Sequence, residues 1–233
     1  MNPEAREQEL FVLRLLGEAE SPVGAGTVRE HLASKGFSAS EATVGRLLRE
    51  LDRRGLTSRV GFQGRVLTDL GSRRLAELSE AREQEASAET LLGRIYSGGE
   101  EAAPELLVAR KAVEGELARL AAERFTGEAE EGLLSAIEDW KKRARCPENG
   151  DVEAYRAFFL VLARIAQNGI LSAIDEILLG KVEKDAFAGM EGAVAEDFEA
   201  LMKALLERDP DAAEKTARNH IDRFVKRRGK QHP

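Results

Sequence analysis

The sequence predicts a mainly α-helical fold: three short helices and one β-hairpin, followed by an all-α antiparallel helical bundle. Three observations predict it. Apolar residues recur at helical spacing along nearly the whole 233-residue chain. One stretch alone, "GLTSRVGFQGRVLTDLG" at 55–71, reads as strand, turn, strand. Around residues 82–104 the composition shifts to Glu, Ala, Ser and Gly and pauses at "SGGEEAAP", which divides the chain in two. With 42% hydrophobic and 33% charged residues, both parts can build proper cores, and the chain is not a disordered one.

The first helix opens with Asn2 as cap and Pro3 at the first helical position. It runs through Leu10, Leu13 and Leu16 to a break at "ESPVGAG". A second helix, roughly 26–35, sets Val28 and Leu32 on one face and stops at Gly36. In the third, Ser38 and Glu41 have capping-box spacing, and Val44, Leu47, Leu48 and Leu51 form the apolar stripe, with Gly55 as the stop. "LTSRV" and "RVLTD" are then β-prone runs joined by "GFQG", whose glycines suit a tight reversal. Thr68 caps the helix that follows.

This order is that of a winged helix-turn-helix. Once the stripe of the third helix is committed to the core, Ser40, Thr43, Arg46, Arg49 and Arg53 remain on its other faces. The capped N-terminal end suits a major groove, where hydroxyls meet phosphates or bases and Arg46 reaches a guanine edge. The hairpin is the wing, with Gln63 expected at its tip and Arg59 and Arg65 against the neighbouring backbone or minor groove. Charge supports a polyanion partner. The net charge is −7, yet residues 29–74 hold 10 Lys/Arg against 5 Asp/Glu. The segment "SEATVGRLLRELDRRGLTSRVGFQGRV", with "PVGA" and "GF" ahead of it, resembles the winged-helix domain of nitrogen-regulator repressors and of some ribonuclease R proteins over about residues 8–78.

From Pro104 onward the pattern is all helical, with breaks at "FTGEAEEG", "CPENGD" and "RDPDA". "ELLVARKAVEGELARLAAER" resembles the first helix of the FCD domain, the helical effector-binding module of the FadR branch of GntR-type regulators. "FFLVLARIAQN" and "LMKALLERDPDAAEKTARNHI" resemble two later helices of that domain, in the right order, so the resemblance covers about residues 88–226. Element order, composition and the two resemblances together give four assignments: a DNA-binding winged helix at 1–81, a linker with a possible short helix at 82–104, an FCD-like effector-binding and dimerisation domain at 105–226, and a basic tail at 227–233.

The resemblance also implies where a metal would sit. Many FCD domains bind one with an Asp and a His one helical turn apart and two further histidines on the last helices. Asn168 and Asp209 serve as landmarks, and the matching positions here are Tyr155, Phe159, Phe198 and His220. One imidazole cannot supply a three- or four-ligand site, and Phe has no donor atom, so no metal and no cofactor is expected. What remains is an apolar interior with a phenol, an imidazole and a buried arginine. Arg110, Tyr155, Phe159, Asn168, Phe198 and His220 are the candidate ligand-binding residues, with Arg110 taking a carboxylate and Tyr155 or His220 orienting a second polar group. The alternative is that the aromatics simply fill the interior, with Arg110 paired to Glu114, and that the domain serves dimerisation only.

No enzyme constellation is present: His31, His220 and His232 are scattered and no glycine-rich loop follows a strand. The lone Cys146 excludes an internal disulfide and fits a reducing compartment. The charged opening "MNPEAREQEL" lacks the apolar run of a signal peptide, and the most apolar stretch, "AFFLVLARIA", is short for a membrane span and contains Arg164. The sequence therefore predicts a cytoplasmic, homodimeric regulator that binds an operator and senses a small organic acid or acyl compound. An RNA- or protein-interaction module with a helical dimerisation domain is the alternative.

Overall fold

The computed structural model describes residues 3–143, 151–182 and 190–231. The chain divides into two compact units, with the boundary after Leu91. The first unit begins with α1 (Pro3–Glu18), α2 (Ala25–Ser34) and α3 (Glu41–Arg53). An antiparallel hairpin of β1 (Thr57–Val60) and β2 (Gly64–Leu67) follows, and then α4 (Asp69–Ser97). Its core is the set the periodicity selects: Leu10, Leu13 and Leu16 of α1, Val28 and Leu32 of α2, and Val44, Leu48 and Leu51 of α3, closed by Leu56 and Leu78. Leu47 is only partly buried against it.

One cap differs from expectation. Ser40, not Ser38, caps α3, its Oγ accepting from the Thr43 N–H at 3.2 Å. Glu41 therefore falls in the first helical turn, where it suits the helix dipole and bonds Arg29 at 3.1 Å instead of reaching back to a capping serine. Thr68 caps α4 as expected, accepting from the Gly71 N–H at 3.0 Å, and its hydroxyl donates to the Gly55 carbonyl at 2.7 Å.

The hairpin register pairs Thr57 with Leu67 and Arg59 with Arg65, leaving Gly61, Phe62 and Gln63 as the turn. Val23 adds a bridge to Arg65 through hydrogen bonds of 2.9 and 3.0 Å, so a third chain segment, from the α1–α2 connection, pairs along β2. Gly64 makes this possible. Its φ is +135°, and a Cβ there would lie 2.3 Å from the Val23 carbonyl oxygen.

The second unit contains the last turns of α4, then α5 (Gly99–Arg124), α6 (Gly127–Arg143), α7 (Asp151–Ala166), α8 (Gly169–Leu179), α9 (Glu191–Leu206) and α10 (Pro210–Gln231). The expected linker at 82–104 is helix almost throughout. Its Glu and Ala residues favour helix, and only Gly98 interrupts between α4 and α5. The "RDPDA" break holds: Asp209 accepts from the Ala212 N–H at 3.0 Å and Pro210 starts α10. α10 packs chiefly on α5, and α7 is enclosed by α5, α6 and α8. Trp140, Tyr155, Phe158, Phe159 and Phe198 are fully buried in this core. The backbone of the expected tail continues α10 to Gln231. Asn2, Cys146, most of the "CPENGD" break and His232 lie outside the described residues. No helix among the described residues is long and apolar enough to cross a membrane.

Candidate functional site

Seven arginines lie on or beside α3 and the wing, and their partners sort them into two sets. Glu9 is buried on α1 and accepts from Arg54 at 2.7 and 2.8 Å and from Arg74 at 2.9 Å. Burial alone would raise its pKa, but these two guanidiniums outweigh it and hold the carboxyl below its ordinary range. Arg53 pairs with Glu50 at 2.8 Å. Arg65 grips Asp52 of α3 with Nε at 2.9 and 3.0 Å and Nη2 at 2.8 Å, and its side chain is only 14% exposed. Burial again pushes the Asp52 carboxyl up, and Arg65 and Thr57, whose hydroxyl donates at 2.6 Å, pull it lower still. Arg54, Arg65 and Arg74 are thus drawn into the fold, whereas Arg53 pairs on the surface within its own helix.

Arg46, Arg49 and Arg59 form the other set. All three are exposed, and none has a carboxylate partner among the described residues. Arg59 makes only a 3.1 Å bond from Nε to the Gly61 carbonyl in its own turn. An uncompensated exposed guanidinium is free for a phosphate or a base edge. Ser40 and Thr43 sit at the N-terminal end of α3, their hydroxyls 3.0 Å apart, close to the backbone N–H groups that favour an anion.

Two sequence-based placements change. Arg65, expected against nucleic-acid backbone, instead braces the wing against α3, because Asp52 faces it across the hairpin base. The tip is Phe62, fully exposed, with Gln63 exposed beside it. Sequence reasoning passed over Phe62, although a phenylalanine inside a glycine-flanked reversal has no core to enter, and that was the available signal.

In the second unit the structure brings Tyr155, Phe159, Phe198 and His220 together. Their ring centroids lie 4.9 to 6.0 Å apart, from Tyr155–Phe159 at the near end to Phe159–Phe198 at the far end. The donor set does not suit a transition metal. The two phenylalanines bring no donor, and both nitrogens of His220 are engaged. Among the described residues no group of three or more His, Cys, Asp or Glu is placed to hold a metal ion.

A continuous hydrogen-bond chain runs through this interior. Arg110 is buried on α5 and donates from Nε to Glu114 Oε1 at 2.6 Å and from Nη2 to the Tyr155 hydroxyl at 2.5 Å. Because a guanidinium only donates, the phenol oxygen accepts there and its own proton is directed to His220 Nε2, 2.9 Å away. His220 Nδ1 then carries the proton that faces Asp197 Oδ2 at 2.9 Å, and Arg223 reaches the same oxygen at 3.1 Å. Burial lifts the Tyr155 phenol well above its usual value, so it stays neutral. Arg110 is thus committed to Glu114 and Tyr155 and is not the open carboxylate clamp that the sequence suggested. Asn168 is placed elsewhere: its side chain caps α8, accepting from the Leu171 N–H at 3.1 Å.

Asp175 escaped sequence reasoning. It is fully buried on α8, and neither carboxylate oxygen has a hydrogen-bond partner among the described residues. Desolvation, reinforced by the charge of Glu114 and only partly offset by Arg110, pushes its pKa up to about 8. Burial also raises the Glu114 carboxyl against the pull of Arg110. The signal was present in "ILSAIDEILL": Asp175 stands three and four residues before Leu178 and Leu179, on the buried stripe of an apolar helix.

A winged helix with exposed arginines on its third helix, followed by a helical bundle with a buried polar centre, has the architecture of a transcriptional regulator. The chain belongs to the FCD-domain family, whose model matches residues 105–223, just over half of its length. The ribonuclease R winged-helix domain matches residues 10–75. The chain is similar to the global nitrogen regulator NrpRI of Methanosarcina mazei, 37% identical over 71 residues, covering 30% of this chain and 22% of that protein. NrpR of Methanocaldococcus jannaschii is 36% identical over 86 residues, covering 37% and 14%. The chain thus spans about a fifth or less of the length of these curated relatives. Among solved structures, Streptococcus agalactiae GntR covers 96% of this chain and 99% of its own at 18% identity and a TM-score of 0.48. E. coli McbR/YncC covers 99% and 97% at 15% identity and a TM-score of 0.46.

Proposed function

We propose that this protein is a cytoplasmic, homodimeric, ligand-responsive regulator whose winged helix binds an operator in double-stranded DNA and whose FCD domain answers a small molecule without a metal. The observation that carries the DNA reading is the division among the arginines. Those that brace the fold are paired with acids, while Arg46, Arg49 and Arg59 are exposed and have no carboxylate partner among the described residues, on the helix and strand that a winged helix presents to a duplex. Arg46 and Arg49, with Ser40 and Thr43, supply the groove contacts. Arg59, Phe62 and Gln63 supply the wing.

The test is binding to the DNA upstream of the protein's own gene, titrated at several salt concentrations. Arg46→Ala lowers affinity for one preferred sequence by about 1–3 kcal/mol and relaxes selectivity there, whereas Arg59→Ala weakens all duplexes alike and reduces the salt slope by about one. Equal loss on operator and random DNA from both variants counts against the division.

The effector reading rests on the buried polar chain at the centre of the second unit. A carboxylate effector on Arg110, as the sequence suggested, must displace Glu114 or Tyr155 from the guanidinium. The complete burial of Tyr155, Phe159 and Phe198 favours the second reading, a packed domain used only for dimerisation. The unpartnered oxygens of Asp175 favour a site.

A further inference from the structure

The acids inside the second unit are out of balance with their donors. Asp175 Oδ1 and Oδ2 on α8 and Glu114 Oε2 on α5 are buried without a hydrogen-bond partner among the described residues. The two helices pack on one another, and the charge of Asp175 acts on Glu114, Arg110 and Tyr155, so these groups share one interior. The nearest cation is already committed: Arg110 holds Glu114 Oε1 at 2.6 Å and the Tyr155 hydroxyl at 2.5 Å. His220 is likewise taken by Tyr155 and Asp197. Folded interiors leave few buried polar atoms unpaired, and an unpaired buried carboxylate is among the costliest.

With Asp175 and Glu114 ionised, all three orphaned atoms are acceptors, and this sets the chemistry of a partner that would hold them in that form. A carboxylic acid brings more acceptors and a like charge. A primary ammonium brings three N–H donors and one positive charge. Tyr155, on which the charge of Asp175 acts, packs its ring 4.9 Å from Phe159 and 5.8 Å from Phe198, an aromatic cluster that suits an apolar body. The Tyr155 ring already has one cation near it, the Arg110 guanidinium 5.4 Å from its centroid.

We propose that the FCD domain of this protein binds a small primary amine with an apolar body, its ammonium received by the unpartnered oxygens of Asp175 and Glu114. The assignment rests on the reading of this domain as an effector site and reverses the charge of the ligand that Arg110 suggested. Binding an ammonium ionises Asp175, which is largely protonated at pH 7 in the free protein, so binding releases close to one proton.

The experiment measures thermal unfolding of the full chain at pH 7 with 2-phenylethylamine, cyclohexylamine and tyramine, and with phenylacetate, cyclohexanecarboxylate and benzoate as carboxylate counterparts. Calorimetric titration in buffers of different ionisation enthalpy then counts protons. The expected result is a rise of roughly 5–10 °C at a saturating level of at least one amine, with proton release, and no rise with the acids. Asp175→Asn abolishes both responses, while a separate readout, Trp140 fluorescence, shows that the variant is folded. Stabilisation by the acids and not the amines overturns the amine assignment and leaves the effector reading standing. No response to either series overturns both. A response to amines that Asp175→Asn retains overturns the site.

Discussion

Asp175→Asn should flatten the pH dependence of the second unit's stability. The carboxyl titrates at about 8 in the folded protein against an ordinary 3.8, so between these values the folded state holds a proton that the unfolded chain has lost. Its contribution is therefore fully present below about pH 4 and is lost as the pH rises towards 8. The slope is about 1.4 kcal/mol per pH unit. From pH 5 to pH 7 the wild type gives up roughly 2.7 kcal/mol through this one group, and an amide at the position gives up none. Whatever the amide itself costs is the same at both pH values, so the difference between the two proteins changes by that amount regardless. Glu114, which burial also lifts, is present in both proteins. The assay is urea unfolding at pH 5, 6 and 7 followed by the fluorescence of Trp140, the single tryptophan, which is buried in the second unit and reports on it alone. Parallel stability curves for wild type and variant would refute the reasoning, because Asp175 would then titrate alike in both states.

Three further outcomes follow from the geometry. Arg65→Ala destabilises the winged helix by about 1–3 kcal/mol in chemical unfolding, because it strands the Asp52 carboxylate, and leaves the salt slope of DNA binding unchanged; a lower slope without loss of stability contradicts the bracing role. Gly64→Ala costs about 2–4 kcal/mol in the same unfolding measurement, since its Cβ meets the Val23 carbonyl and the residue must hold φ +135°; a neutral result means that the Val23 bridge is not made. EDTA leaves the melting temperature unaltered, and elemental analysis finds far less than one zinc, nickel or manganese per chain; one tightly held ion with His220 in its shell contradicts the donor-set argument.

The winged helix was legible because its signals are local. Gly36 and Gly55 take positive φ where the helices stop, Pro3 and Thr68 stand at helix starts, and the α3 stripe at Val44, Leu48 and Leu51 enters the core. The convergence of Tyr155, Phe159, Phe198 and His220 was legible too, through helical spacing and family landmarks. What eluded the sequence was partnership. Whether an arginine is free depends on an acid far along the chain: Glu9 lies 45 residues from Arg54 and 65 from Arg74, and no periodicity links them. The Ser38 cap failed because Ser38 and Ser40 both precede α3, and only the path of the chain chooses between them. Arg110 was read as open because its acid, Glu114, could be recognised as a neighbour while its second bond, to Tyr155, spans 45 residues.

The base of the wing has an implication for how such a reader changes over time. Gly64 locked under Val23, together with Arg65 anchored on Asp52, makes the hairpin a cantilever with a fixed root, and Phe62 at its far end touches nothing in its own fold. Substitution at Phe62 or Gln63 leaves the root undisturbed, so these two positions can change at almost no cost in stability. Change at the root is resisted whatever the operator demands. Variation in this hairpin is thus confined to its exposed tip, while its root stays fixed.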